Sequence, residues 1–294
     1  MGHRNSRSEP GGSVNTRGRC ALGAAHTFPW LAGALLLVCA APRATATEPA
    51  TRATAVLLGS SSVGGHLGHT VERELGTAGV SVELRRRSSS GLARPDFYDW
   101  PRSVRRGPAL GGHLGVMVLL GGNDTQPVRL MRGQRRVGAV RWDHDQAWRE
   151  TYAGLVRAFG QELCERGARR VVWLLPPNPG RAGWSEKIAR VRSVQREAAS
   201  AIRCAGDVPA VVIDADSPSA PFGASESTDG VHLNRAGARR YWQLVGADIA
   251  RALGVPTRAD GDTATAATTA TATATATATD APTATVTEDP GAAR

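Results

Sequence analysis

One stretch near the front of the chain decides its fold: Val56-Leu57-Leu58-Gly59-Ser60-Ser61-Ser62-Val63-Gly64-Gly65. An apolar run that ends abruptly in small residues predicts a buried strand, a tight turn and then a helix. In an open sheet of parallel strands, ligands bind in the crevice outside the carboxyl ends of the strands. We therefore expect Ser61 at that edge, with small neighbours that let a substrate come close.

Outward from this stretch, apolar runs and helical periodicity alternate along the chain. Strands are predicted at 53–60, 80–84, 114–120, 171–175 and 210–214, and helices at 63–78, 145–166, 185–203 and 235–253. This alternation predicts an α/β fold with three layers, α/β/α, in which a five-stranded parallel sheet carries helices on both faces. Two further stretches, 88–101 and 127–143, are interpreted as loops.

The two ends of the chain differ in composition from its middle. Residues 1–46 join a basic, polar lead to an apolar run and a small-x-small end at 44–46, which is typical of a cleaved export signal. An uncleaved membrane anchor is the alternative, although the apolar run is shorter than the roughly 20 residues that span a bilayer. Residues 257–294 are rich in threonine and alanine and are interpreted as a disordered tail. Residues 47–256 then form one domain of a secreted, periplasmic or cell-envelope protein without a membrane span.

The formal net charge of +10 comes almost wholly from arginine, because Lys187 is the only lysine. A basic surface attracts nucleic acid or anionic cell-surface polymers. The arginines occur here as scattered pairs without interleaved aromatic residues, so an ordinary solvated surface is favoured and no nucleic-acid partner is expected.

Two cysteines remain once the export signal is removed, Cys164 and Cys204. Export would allow a disulfide between them. Both fall in or beside predicted helices whose separation the sequence does not give, so the paired and the unpaired states are both open. Two cysteines are too few to suggest a metal site.

A serine becomes a nucleophile only if a base can reach it. The far end of the domain offers one in the stretch Asp229-Gly230-Val231-His232. In a Ser-His-Asp arrangement the histidine takes the proton of the serine, and the acid orients the imidazole. A turn at this stretch would let Asp229 meet one ring nitrogen while the other faces Ser61. Taken alone, an Asp-x-x-His pattern more often belongs to an ordinary loop.

Three donors are candidates for stabilising a developing oxyanion. Asn123 directly follows an apolar run, in Gly121-Gly122-Asn123-Asp124, and could aim its amide at the oxyanion. Gly91, after the second strand, and Ser61 could each offer a backbone N–H. The alternatives are a turn or helix-cap role for Asn123 and a positive-φ turn at Gly91. Asp124 is interpreted as a cap or loop brace.

The predicted loop at 88–101 places three aromatic residues among polar and turn residues, which is unusual for an inert connection. The candidates for substrate contact in this loop are Arg94, Asp96, Tyr98 and Trp100. A small core beneath the loop would account for the same aromatic residues.

The order of these blocks resembles the SGNH, or GDSL-type, hydrolase family. That family has a serine block, a glycine block, a Gly-x-Asn-Asp block and an Asp-x-x-His block, matched here by 59–61, Gly91, 121–124 and 229–232. The similarity covers roughly residues 53–253, and the stretch 94–101 looks like a little-characterised, often exported bacterial branch.

This resemblance implies the SGNH hydrolase fold, which has a flavodoxin-like sheet. It implies Ser61 as nucleophile, His232 as base and Asp229 as orienting acid. It also implies an oxyanion hole made by Ser61, Gly91 and Asn123, with no metal and no cofactor.

One departure from the family is clear. The usual Gly-Asp-Ser-Leu is Gly59-Ser60-Ser61-Ser62 here, so Ser60 replaces an aspartate that braces the turn. The change is compatible with lower activity, and it leaves Ser60 and Ser62 as alternatives for the exposed hydroxyl.

The expected function is that of a carboxylic-ester hydrolase or acyltransferase. Its substrate would be an O-acyl ester of a small molecule, a glycan or a lipid of the cell envelope. One alternative is a weakly active or inactive glycan-binding domain of the same fold. Another is phosphate or nucleotide binding at residues 59–65, which lack the Gly-Lys-Ser/Thr ending of a phosphate loop.

Overall fold

The computed structural model describes residues 52–216 and 221–255, and in it the strands of the main sheet alternate with helices along the chain. The strands are β1 (Ala53–Gly59), β2 (Val80–Arg86), β3 (Val116–Leu119), β4 (Val128–Arg132), β5 (Arg135–Val140), β6 (Val171–Leu174), β7 (Arg203–Cys204), β8 (Val208–Pro209) and β9 (Val211–Ile213). The helices are α1 (Ser61–Gly64), α2 (His66–Thr77), α3 (Trp100–Arg106), α4 (Asp145–Glu165), α5 (Ser185–Ser200) and α6 (Arg235–Leu253). The predicted export signal and the predicted tail lie outside the described residues.

Five strands form one parallel sheet in the order β2-β1-β3-β6-β9. Counted among themselves along the chain, these strands follow the flavodoxin-like order 2-1-3-4-5, so the predicted fold class is confirmed. In this order the direction of winding reverses between β1 and β3, and the carboxyl ends of these two strands border the crevice where such folds bind ligands. β1, which leads to Ser61, therefore ends at this crevice.

The sheet is covered on both faces because successive side chains of a strand point to opposite sides. Leu57 and Met117 pack with α2 and α6 on one face, whereas Leu58 and Val118 pack with α3, α4 and α5 on the other. All four side chains are fully buried. The result is three layers, as the alternation of elements predicts.

The prediction of a loop at 127–143 is wrong, because this stretch contains the antiparallel hairpin β4–β5. Its turn includes Gly133, whose φ of +60° suits a residue without a side chain. Val128 is buried, but exposed arginines occupy both strands of the hairpin. These charged positions hide the alternation by which a half-buried strand is normally recognised.

One helix prediction and one loop prediction also need correction. The helix predicted at 63–78 is divided at Gly65, whose extended backbone separates α1 from α2. The predicted loop at 88–101 leads directly into a short helix, α3, which begins with Trp100 and Pro101. The Asp99 side chain caps α3 by accepting a hydrogen bond of 3.0 Å from the backbone N–H of Arg102.

Cys164 and Cys204 form a disulfide, with their Cα atoms 5.0 Å apart. The bond joins α4 to β7, and so ties the small β7–β8 corner to a helix of the outer layer. The paired alternative is therefore the one that the structure shows. Over residues 52–216 and 221–255, we find no helix with the length and apolar character needed to cross a bilayer.

Candidate active site

Ser61 is the first residue of α1, directly after the turn that ends β1. At Gly59 an added Cβ would lie 2.3 Å from the carbonyl oxygen of Leu119, so a residue with a side chain would push β1 away from β3. Ser60 is buried, whereas Ser61 and Ser62 are partly exposed. The close approach of the two strands thus sets the serine at the crevice between them.

The hydroxyl of Ser61 meets the imidazole from the far end of the domain. Ser61 Oγ lies 2.7 Å from Nε2 of His232, although the two residues are 171 positions apart. The second ring nitrogen, Nδ1, lies 2.7 Å from Oδ2 of Asp229. The structure therefore brings the predicted serine, histidine and aspartate into one hydrogen-bonded row, with Ser61 as the serine that contacts the histidine.

The charge on Asp229 determines where the protons of this row reside. Burial acts to raise its pKa, but hydrogen bonds from the backbone and ring N–H of His232 and from the backbone of Val231 outweigh this and lower the pKa to about 2. A carboxylate can only accept hydrogen bonds. The hydrogen bond between Nδ1 of His232 and this carboxylate therefore needs the proton on Nδ1, and in the neutral ring Nε2 is left to accept the hydroxyl proton of Ser61.

A tight turn holds the histidine in this orientation. Oδ1 of Asp229 accepts hydrogen bonds from the backbone N–H of Val231 at 2.9 Å and of His232 at 2.8 Å. Gly230, within the turn, has a φ of +77°. Next along the chain, Asn234 caps α6 by accepting from the N–H groups of Ala236 and Gly237. The imidazole is thus fixed between a turn and a capped helix, which suits a general base.

A cavity of about 270 Å³ opens beside these residues. Its lining combines the three residues of the row with His66 and with small or apolar neighbours: Ser61, Ser62, Gly65, His66, Leu67, Thr228, Asp229, His232 and Leu233. The volume suits a small acyl group or part of a larger molecule. A larger cavity, of about 490 Å³, lies along the edge strand β9 and contains none of these residues.

The other two candidate oxyanion donors follow the strands on either side of β1. Asn123 comes after β3, and its side-chain NH₂ donates a hydrogen bond of 3.1 Å to the carbonyl oxygen of Ser90. That bond uses one of its two N–H groups and leaves the other for a ligand. Gly91 comes after β2. Neither residue lines the cavity of 270 Å³, and their role as oxyanion donors stays a prediction.

Glycine is needed at position 91 because of a close contact, and not because of the positive-φ turn considered for it. The residue with positive φ in this loop is Ser89, at +60°. At Gly91 an added Cβ would lie 2.1 Å from Oδ1 of Asp124. The absent side chain therefore leaves room for the buried carboxyl group of Asp124.

Asp124 braces this loop from within the protein, which agrees with its interpretation as a brace. It accepts hydrogen bonds of 2.8 Å from the backbone N–H of Ala93 and of 2.7 Å from the hydroxyl of Tyr152. Tyr152 in turn accepts from the side-chain amide of Gln195 at 2.8 Å. Burial raises the pKa of Asp124, and these donors act in the opposite direction.

The four residues predicted to contact substrate are either bonded to other residues of the protein or buried. Arg94 and Asp96 form an ion pair at 2.8 Å. The hydroxyl of Tyr98 lies 2.6 Å from Oγ of Ser103. Trp100 is only 2% exposed.

Trp100 also donates its indole N–H to Oγ of Ser90 at 3.1 Å. Its burial argues against a contact between Trp100 and substrate, and agrees with the alternative of a small core beneath the loop. Tyr98 and Trp100 border a separate apolar cavity of about 300 Å³.

Some residues at the site carry no signal in the sequence. His66 and Thr228 line the cavity, but no motif marks them. Tyr152, on α4, donates to Asp124, and Gln195, on α5, donates to Tyr152. Nothing local to either helix predicts these contacts. Within residues 52–216 and 221–255, no three His, Cys, Asp or Glu side chains gather into a group that could hold a metal ion.

Comparison with known proteins finds one family model that matches the sequence. The family described as "Protein of unknown function (DUF459)" matches residues 54–247. A comparison with curated proteins found no match.

Several solved structures share the general arrangement at low identity. An acetyl esterase mutant with an acetate ion is 17% identical, with a TM-score of 0.48, over 69% of this chain and 98% of that one. A carbohydrate esterase family 3 protein from Talaromyces cellulolyticus is 17% identical, with a TM-score of 0.48, over 70% and 100%. A GDSL-like lipase from Bacteroides ovatus is 12% identical, with a TM-score of 0.49, over 69% and 54%. At these values no function is carried over, and the chemistry of the site stands on this chain's own residues.

Proposed function

This chain belongs to the DUF459 family, and we propose that it is a serine-dependent enzyme that cleaves O-acyl esters and passes the acyl group to water or to another hydroxyl. The observation that carries the proposal is the contact of 2.7 Å between Ser61 Oγ and His232 Nε2, with Asp229 on the second ring nitrogen. A nucleophile, a base and an orienting acid in a row are the parts that acyl transfer requires.

In the first half of the reaction, Ser61 Oγ attacks the carbonyl carbon of the ester while Nε2 of His232 takes the hydroxyl proton. The negative charge that develops on the carbonyl oxygen is met by N–H donors, for which Ser61, Gly91 and Asn123 are the candidates. The carbon–oxygen bond of the ester then breaks. The alcohol leaves with the proton that His232 returns, and the acyl group stays on Ser61.

The second half repeats these steps with a different nucleophile. Water, or the hydroxyl of an acceptor, gives its proton to Nε2 of His232 and attacks the acyl-serine. The bond to Ser61 breaks, and Ser61 recovers its proton from His232. Throughout, Asp229 keeps its negative charge and stabilises the imidazolium that forms twice in the cycle.

Two features support a more specific form of the proposal. The order of the serine, glycine, Gly-x-Asn-Asp and Asp-x-x-His blocks supports an SGNH-type hydrolase. The disulfide between Cys164 and Cys204 supports export, because such bonds persist in oxidising compartments. We therefore propose a secreted or envelope protein whose substrate is an acylated small molecule, glycan or lipid.

A serine-directed fluorophosphonate probe tests the nucleophile. We expect the wild-type protein to be labelled, the label to be found on Ser61 by peptide mass spectrometry, and Ser61→Ala to abolish labelling. The reason is that Ser61 is the serine whose hydroxyl the His232 ring can deprotonate. Acetate release from acetyl esters should disappear in parallel.

Ser200→Ala is the matched control, since Ser200 lies at the end of α5 and its hydroxyl donates to a carbonyl of the same helix. It should label as the wild type does. Equal labelling of the wild type and Ser61→Ala, or a label found on another serine, would reject the assignment. Glycan binding without any labelling or turnover would instead favour the inactive binding domain.

A further inference from the structure

A further cavity, of about 370 Å³, adjoins the cavity of 270 Å³ beside Ser61 and His232. Its lining is basic apart from one threonine: His66, His69, Thr70, Arg73, Arg235 and Arg239. His66 lines both cavities, so the two are neighbours. The basic cavity, as we call this site, is therefore within reach of a molecule whose ester group lies at Ser61.

Only part of the positive charge of the three arginines is balanced by neighbours. Arg73 forms an ion pair of 2.7 Å with Glu74, and His69 lies 3.1 Å from Glu72. Arg235 and Arg239 are exposed, and within residues 52–216 and 221–255 no acidic side chain pairs with either of them. These two guanidinium groups are free to bind an anion.

The positions of these two arginines make a purely structural role costly. Arg235 is the first residue of α6, where the positive end of the helix dipole disfavours a cation, and the first turn of α6 contains no acidic residue. Arg239 follows four residues later and so lies on the same face of the helix, where like charges destabilise each other. Without a bound anion, both placements weaken α6.

We propose that the basic cavity binds an anionic group, a carboxylate or a phosphate, on the acylated substrate. This inference rests on the proposed function, because it places the anion beside the ester that Ser61 attacks. Guanidinium groups bind both kinds of anion through paired N–H donors. The substrate class is then an O-acylated acidic sugar or sugar phosphate, alone or within an acidic polymer.

Pairs of substrates that differ in charge alone test the inference. Acetate release is measured from O-acetylated glucuronate against O-acetylated glucuronamide, and from O-acetylated glucose 6-phosphate against O-acetylated glucose. For wild-type protein at low salt we expect kcat/KM to favour the anionic member of at least one pair by about tenfold, as two exposed arginines can supply. The preference should shrink as salt is added. Comparing the two pairs distinguishes a carboxylate from a phosphate.

The variant with both Arg235→Gln and Arg239→Gln should bring the anionic-to-neutral ratio close to one. Arg251→Gln is the matched control, because it makes the same change on the same helix about 24 Å away. It should keep the wild-type ratio. A ratio that is the same in the double variant and the wild type, or no anionic preference in the wild type, overturns the inference and leaves the esterase proposal intact.

A binding measurement separates failure of the inference from failure of the enzymatic proposal. Glucuronate and glucose 6-phosphate are titrated into Ser61→Ala protein by calorimetry, with and without the two arginine changes. We expect the arginine changes to weaken binding by about tenfold. If no ester is turned over but this loss is seen, the anion site stands and the esterase proposal fails. Equal binding by both proteins, or no binding by either, overturns the anion site.

Discussion

At the scale of single residues, the site depends on how Asp229 keeps its charge. Its side chain is about half exposed, at 49%, yet three donors from the same turn converge on it. These bonds stabilise the ionised form more than burial disfavours it, and the pKa falls to about 2. The carboxylate therefore orients His232 at any pH at which the protein is expected to work.

Replacing Asp229 with asparagine tests this role. Asp229→Asn keeps the size of the side chain but places an amide beside Nδ1, which favours the wrong tautomer of His232. We expect kcat to fall by about 10³- to 10⁴-fold with little change in KM. Asp207→Asn, at a residue whose side chain is 90% exposed, is the control and should retain wild-type kinetics.

Wild type and Asp229→Asn are also expected to differ in how their stability depends on pH. The folded pKa of Asp229 lies below its ordinary value of 3.8, so its charged form stabilises the fold above about pH 4. That contribution is lost as the pH falls from about 4 towards 2. The difference in Tm between wild type and Asp229→Asn should therefore be largest near neutral pH and should shrink in this window. A difference that grows on acidification would contradict the assignment.

At the scale of elements, the loop after β2 and the loop after β3 are held as one unit. Asp124, after β3, accepts from Ala93, after β2, and Asn123 donates to Ser90. Tyr152 adds a bond from α4. Hydrogen bonds that involve the buried Asp124 thus fix these two loops relative to each other, and such bonds hold binding groups in a fixed place.

Gly91→Ala tests this brace. The new Cβ would lie 2.1 Å from Asp124 Oδ1, and both groups are buried, so the loop must shift. We expect a loss of about 1–3 kcal/mol in the free energy of unfolding, measured by chemical denaturation, together with reduced ester cleavage. Gly112→Ala is the control, because its Cβ would have no neighbour within 4 Å. Equal loss of stability in the two variants would show that Asp124 does not need this space.

At the scale of the whole molecule, the sheet order decides which loops become neighbours. Because β1 lies between β2 and β3, the segments after these three strands share one edge, and α6 brings His232 back to it. The disulfide between Cys164 and Cys204 lies in the outer layer formed by α3, α4 and α5. It closes a loop of 40 residues, and such a bond is expected to add about 2–4 kcal/mol to stability.

The disulfide and the predicted export signal lead to one joint prediction. When the full chain is expressed in a bacterial secretion host, N-terminal sequencing of the exported protein should begin at Thr47. A maleimide reagent should label Cys164 and Cys204 only after reduction. Free thiols in the exported protein, or an N-terminus upstream of residue 30, would contradict this prediction.

The sequence alone was sufficient to predict the five strands of the main sheet and the contact between Ser61 and His232. Strands and helices leave a local record, because their apolar residues recur with a fixed period. The polar residues that follow the strands could then be assigned to one edge. The hairpin β4–β5 was missed because arginines on both strands obscure the alternation of apolar and polar residues.

Only the tertiary structure decided the remaining features of the site. The pairing of Cys164 with Cys204, the packing of Trp100 against Phe159 and the hydrogen bond from Tyr152 to Asp124 each join residues far apart in the chain. The basic cavity likewise combines residues from α2 and α6. Such contacts depend on how helices pack on the sheet, and no pattern within one element records that packing.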